Sequence, residues 1–116
     1  MYREFLAPSD EGVLAAIGEW PDTDESGARV LTWHNGDGES LALSYDTLAR
    51  SVRVRWLSGR GDVLLDIFRE SATRLSFTLG PVATHVSVDF HMGECSGALS
   101  IQVTPHFAVH DRLLFQ

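Results

Sequence analysis

The chain has 116 residues, and not one of them is lysine; all nine basic residues are arginine. A GC-rich genome accounts for that bias. Cysteine is almost absent as well. Cys95 stands alone, which excludes a disulfide framework and a cysteine-based zinc site within one chain. The sequence has no apolar run near the ~20 residues a membrane helix needs. Its start, MYREFLAPSDEG, has neither the basic opening nor the long apolar core of a secretion signal. These absences favour a cytoplasmic protein with no membrane contact. No Gly-rich phosphate loop precedes a helix, and no Gly-x-Ser-x-Gly elbow occurs.

The length fits one domain, residues 1–116, with enough chain to bury one core. The net charge of −7 is unevenly distributed. Residues 1–46 carry ten acids against two arginines, whereas residues 47–116 carry six acids against seven arginines. An oriented negative field follows. It disfavours direct binding of nucleic acid, which needs a basic face, and suits a basic protein partner. The densest stretch runs from Glu19 to Asp46, where seven acids face Arg29 alone.

The apolar spacing organises the rest. Ser9 or Asp10 caps a helix on which Val13, Leu14, Ile17 and Trp20 form one stripe, and Pro21 stops it. Residues 2–6 read as a short first strand. After the polar loop DTDESG the period changes to two. Leu31 and Trp33 alternate with their polar neighbours, as do Leu41, Leu43 and Tyr45. The five-residue turn 35–39 sets Trp33 opposite Leu41 and Leu31 opposite Leu43. A second hairpin pairs Trp56 with Val63, Val54 with Leu65 and Val52 with Ile67; residues 62–75 also have loose helical spacing, and strand is preferred. RESATR reads as a turn into Leu75, Phe77 and Leu79. In the last third, MGECSG is the loop that places Phe90 against Leu99, Val88 against Ile101 and Val86 against Val103. The segment AVHDRLLFQ adds an edge strand. The fold class is α+β, an N-terminal helix packed on one curved antiparallel sheet of about six to eight strands.

Two sets of residues are candidates for function. His85, Ser87, Asp89 and His91 form a polar row on one strand. Asp89 and His91 lie ~7 Å apart there, a pair that holds a metal only with a third ligand from a neighbouring strand. His106 falls near His85 rather than His91, so the ordinary reading is a solvated polar face. A small-ligand-binding, metal-binding or catalytic domain using His85, Asp89 and His91 is the alternative class. A Ser-His-Asp triad from Ser87, His85 and Asp89 fails, because side chains in parallel along one strand do not bond one another. Arg53 and Arg55 share an outer face and read as charge balance for the acidic front. Neither set points to a resident metal or cofactor, nor to catalytic residues.

The second set is a contact surface, and it comes with a resemblance. The helix DEGVLAAIGEW, the acidic loop, the hairpin RVLTWHNGDGESLALSY, then SVRVRW and a Gly-turn into VLLDIF follow one another over residues 9–70. That layout resembles bacterial immunity proteins of polymorphic toxin systems, in particular the small family paired with deaminase-type toxins. The resemblance implies an acidic, cytoplasmic, non-enzymatic antitoxin that binds its cognate toxin and covers the active site. Toxins acting on nucleic acid carry basic clefts. Asp22, Asp24, Glu25, Asp37 and Glu39 would then meet a basic surface, with Trp33 or Tyr45 as an anchor wherever the core leaves one exposed.

Overall fold

The helix forms where the caps place it. In the computed structural model, which describes residues 4–115, α1 spans Asp10–Ile17. The Ser9 hydroxyl accepts the Gly12 N–H at 3.1 Å, and Asp10 and Glu11 occupy the favourable first turn. Gly18 closes the helix in the left-handed region at φ 79°, its N–H donating to the Leu14 carbonyl. This early stop corrects the apolar stripe. Val13 is fully buried and Ile17 packs on the core, but Trp20 lies beyond the cap and is 57 % exposed.

Nine strands follow among the described residues: β1 Asp22–Thr23, β2 Arg29–His34, β3 Ser40–Asp46, β4 Ser51–Leu57, β5 Val63–Glu70, β6 Ala72–Leu79, β7 Thr84–Met92, β8 Cys95–Thr104 and β9 Ala108–Phe115. The α+β class therefore holds. The strands divide into two antiparallel sheets, β1-β2-β3-β4-β5 and β6-β7-β8-β9. Within each sheet, every strand pairs with its neighbour in sequence. Residues 63–70 and 72–79 are strand, as preferred, and the turn read in RESATR is the single residue Ser71. The chain crosses from one sheet to the other at Ser71 alone, in a left-handed conformation at φ 68°. The Ala72 N–H there donates to the Arg50 carbonyl, and the His91 N–H to the Ser71 carbonyl. A parallel bridge from Leu6 to Arg74 is what remains of the expected first strand; residues 2 and 3 lie outside the described range.

The first hairpin has the expected register, Trp33 opposite Leu41 and Leu31 opposite Leu43. Asn35 builds its turn. Its carbonyl Oδ1 accepts the Asp37 and Glu39 N–H groups, and its Nδ2 donates to Glu39. The other two hairpins each differ from expectation by two residues. Trp56 pairs with Leu65, Val54 with Ile67 and Val52 with Arg69. A bulge at Trp56–Leu57 and a turn closed by Ser58 N–H to Asp62 carbonyl move the register. Between β7 and β8, Phe90 pairs with Gly97, Val88 with Leu99 and Val86 with Ile101. The loop is only Gly93-Glu94, with Gly93 at φ 58°, so pairing begins earlier than MGECSG implied. A shift of two leaves each side chain on its original face, so the core composition survives both changes.

One core joins both sheets. Leu31, Leu41, Leu43, Val52 and Val54 of the first meet Leu75, Val86, Val88, Phe90, Leu99 and Ile101 of the second, with Phe5 and Val13 from the N-terminal segment. Truncating one of the fully buried leucines to alanine costs about 2–5 kcal/mol by lost transfer energy and the cavity left behind. Trp56 stacks edge-on against Phe107 with centroids 5.9 Å apart, linking β4 to the β8–β9 connection. At the flank, Arg69 of β5 grips Asp111 of β9 with two bonds of 2.6 and 2.7 Å, and its guanidinium lies 5.3 Å from the Phe90 ring centroid.

Candidate partner-binding surface

The acidic residues belong to turns, and the turns lie at opposite ends of the first hairpin. Asp24 starts the turn into β2. Its Oδ1 accepts the Ser26 N–H, the Ser26 hydroxyl and the Ala28 N–H at 2.7–3.0 Å. The Ser26 hydroxyl, followed by backbone N–H groups, holds this carboxyl below the usual range against the opposing effect of burial. Glu39 is similarly engaged, by Asn35. Both therefore act as turn formers. Asp22, Glu25 and Asp37 are exposed. Six residues of β2 separate the two turns, roughly 20 Å of strand, so Asp22, Asp24 and Glu25 form one patch and Asp37 and Glu39 another. The second patch abuts the β4–β5 turn, where a Cβ added to Gly59 would sit 3.1 Å from the Asp37 carbonyl oxygen.

Of the two candidate aromatic anchors, Tyr45 belongs to the core, at 3 % exposure, and Trp33 is half-buried against it. In the sheet Tyr45 lies between Arg29 and Val52, and Trp33 is paired with Leu41. Tyr45 has one unusual property. Its hydroxyl is buried and has no hydrogen-bond partner among the described residues. Burial pushes the phenol pKa up, nearby Asp10 adds to the rise, and Arg29 opposes it.

Among the ion pairs of the described residues, the acidic front takes part in one. Arg29 donates from Nε to Asp10 at 3.0 Å. Arg53 instead forms a two-bond pair with Asp66 at 2.9 and 2.8 Å, and Arg55 lies 3.5 Å from the same carboxylate. Asp66 is held below the usual carboxylate range, first by the Arg53 bond. These pairs stay within the outer face of the first sheet, next to Phe68, which is 62 % exposed.

A depression of about 520 Å³ opens between the start of α1, the 24–28 turn and the end of β3. Asp10, Arg29, Tyr45, Asp46 and Leu48 line it, and Leu48 stands 94 % exposed at its edge. A smaller one of about 230 Å³ shares Ser26, Tyr45 and Asp46 with it and continues to Asp24, Arg53 and Phe68. Sequence spacing gave no sign of this arrangement, because its walls come from three distant segments. The local hint is Asp46 before Thr47 and Leu48, whose Oδ1 caps the turn by accepting the Leu48 and Ala49 N–H groups.

The polar row of the second sheet is spread out. His85 pairs with Gln102, Ser87 with Ser100, Asp89 with Ala98 and His91 with Ser96. His106 lies in the β8–β9 connection rather than on a strand. Among the described residues no three His, Cys, Asp or Glu side chains group as metal ligands would. No helix among them is long and apolar enough to cross a membrane.

Among solved structures, the fold matches one chain of the contact-dependent growth inhibition toxin–immunity protein complex from Klebsiella pneumoniae 342. The match has a TM-score of 0.81 and covers 98 % of this chain and 100 % of that one. Identity between the two is 13 %, so what they share is the fold. No protein-family model matches the sequence, and no curated protein does.

Proposed function

We propose that the chain is the immunity component of a toxin–immunity pair, a non-enzymatic antitoxin of the cytoplasm that binds a cognate toxin domain and blocks its active site. The observation that carries this reading is the whole-length match to a chain of a toxin–immunity complex. The charge distribution favours the immunity role over the toxin role. A domain that attacks nucleic acid must attract phosphate, and this chain is net negative with its excess in the first two-fifths. An acidic surface instead imitates the charge of such a substrate and steers a basic partner toward it. The contact residues we assign are Asp22, Asp24 and Glu25 on one side, Asp37 and Glu39 on the other, and the exposed portion of Trp33. Asp24 and Glu39 contribute field while they hold their turns.

The test is direct. The toxin domain encoded beside this chain is titrated with the purified protein, following affinity and toxin activity. Tight binding that abolishes activity is expected, with affinity falling as salt rises. Reversal of Asp22 and Glu25 to lysine, and separately of Asp37, is expected to slow association. Absence of binding, or binding that leaves the toxin active, would overturn the reading.

A further inference from the structure

We propose that the open edge of β6, in the groove beside α1, receives an extended segment of the cognate toxin as an added strand. This deepens the immunity reading and rests on it. The edge is already half used. Leu6 forms a parallel bridge with Arg74, its N–H donating to the Thr73 carbonyl and its carbonyl accepting the Leu75 N–H, both at 2.9 Å. The next bonding position on that segment, two residues on, is Pro8, which has no N–H to offer. Ser9 then caps α1 and the chain leaves the sheet. Beyond Leu75 nothing takes over. β6 is an end strand of its sheet, with β7 on its other side. Backbone groups alternate between the two edges of a strand, so the Leu75 carbonyl, the Phe77 N–H and carbonyl and the Leu79 N–H point away from β7, as the Leu75 N–H does. None of these four groups has a hydrogen-bond partner among the described residues.

The lining states the chemistry of the occupant. Two donors and two acceptors in a row, from Leu75 to Leu79, match an extended backbone over about 13 Å. A groove of about 490 Å³ runs beside them, walled by Pro8, Ala16, Leu75 and Phe77. Leu6 and Leu79 are more than half exposed, so the edge lacks the charged side chains that usually blunt one. Among the described residues, Arg74 is the one charged member of the lining. It lies across the ladder from Asp89, yet it makes no ion pair among them, and its guanidinium donors are left for an incoming carboxylate. Leu75 and Phe77 project on the core side and Arg74 on the opposite face. The segment that fits therefore alternates apolar residues with an acidic one. One local acid leaves the toxin's basic face to the acidic turns.

The experiment uses the intact chain, with the peptide acetyl-Val-Glu-Val-Thr-Val amide as probe. Comparators carry glutamine for the glutamate, or proline for the central valine. Amide shifts of Phe77 and Leu79 are followed by nuclear magnetic resonance. The probe is expected to shift both saturably, and the proline peptide to bind at least about tenfold more weakly for want of backbone bonds. The glutamine peptide is expected to lose about tenfold as well, a loss that Arg74→Gln abolishes. Leu79→Pro deletes one outward N–H and spares the ladder to β7, and Leu79→Thr keeps that N–H; only the proline variant is expected to weaken the probe about tenfold. The proline peptide reads the same bond on the unaltered chain. In the toxin complex, hydrogen exchange at the Phe77 and Leu79 amides is expected to slow at least about tenfold. Equal binding of the proline peptide, or no shift at either amide, would overturn the added strand. If the toxin binds and both amides exchange as before, the added strand falls and the immunity reading stands. If the chain alone sediments as a dimer with both amides protected, the occupant is a second copy and the choice of the toxin is overturned. If the peptides behave as expected but the toxin does not bind, the immunity reading falls alone.

Discussion

The clasp between Arg69 and Asp111 is expected to be worth more than any other ion pair among the described residues, and a double-mutant cycle measures it. Arg69 lies on β5 and Asp111 on β9, so the pair ties the flank of one sheet to the flank of the other. The bonds are short and paired, and the side chains keep 25 % and 38 % of their exposure. Solvent screening confines even a well-aligned pair of that exposure to the upper end of the surface range, about 1 kcal/mol. Arg69 also lies over Phe90, a contact worth about 0.5–1 kcal/mol more. Asp111→Asn is therefore expected to cost about 1 kcal/mol, Arg69→Gln about 1.5–2 kcal/mol, and the coupling term to be about 1 kcal/mol. Urea unfolding of the four proteins gives these values, and each kcal/mol corresponds to about 4 °C in melting temperature at this size. The sign of the pH dependence follows from the carboxyl. The Arg69 bond holds the Asp111 pKa below the usual range. Its contribution is complete above the ordinary carboxylate pKa of about 4 and disappears as pH falls through the lower folded value. The gap between wild type and Asp111→Asn should close in acid. A coupling no larger than that of the exposed Arg53–Asp66 pair, or a gap that widens in acid, would refute the account.

Three other outcomes are expected. Tyr45→Phe should stabilise the free protein by about 1–2 kcal/mol in thermal or urea melts, because it deletes a desolvated hydroxyl without a partner; a loss of stability would show the hydroxyl to be bonded. Gly59→Ala should cost about 1 kcal/mol, since its Cβ presses on the Asp37 carbonyl oxygen and must push the neighbouring turns away from each other; an unchanged melting temperature would contradict that contact. The turn held by Asp24 should persist until pH falls through its lowered pKa and then loosen, as hydrogen exchange at Ser26 and Ala28 would report; loosening that begins near neutral pH would contradict the bonds assigned.

How much of this was legible in the sequence depends on what an alternating pattern can encode. Alternation assigns a face to each residue, and the buried rows Leu41–Leu43, Val86–Val88 and Leu99–Ile101 were readable from it. It cannot distinguish registers that differ by two residues, since both keep the same faces. The first hairpin was readable because its rival, a tight Asn35-Gly36 turn, differs by an odd number of residues and would put the two apolar rows on opposite faces. In the other two hairpins the shift came from the bulge at Trp56–Leu57 and from the short Gly93-Glu94 turn, which apolar spacing does not record. The turn at RESATR was read, but not that it is Ser71 alone passing between two sheets, because nothing in a serine signals a left-handed residue in that role. The acidic turns were readable as surface features, and so was the strand that separates them. The depression at the start of α1 was not legible, because its lining comes from segments distant in sequence.

The pairing of each strand with its sequence neighbour has a consequence for how such a chain diversifies. In a meander, a turn that changes its length or chemistry alters the register of one hairpin and leaves the others intact. The end turns of the first sheet can therefore change while the buried rows stay under packing selection alone. Turn chemistry and core packing therefore answer to different constraints, so one turn can be rewritten on an unaltered frame.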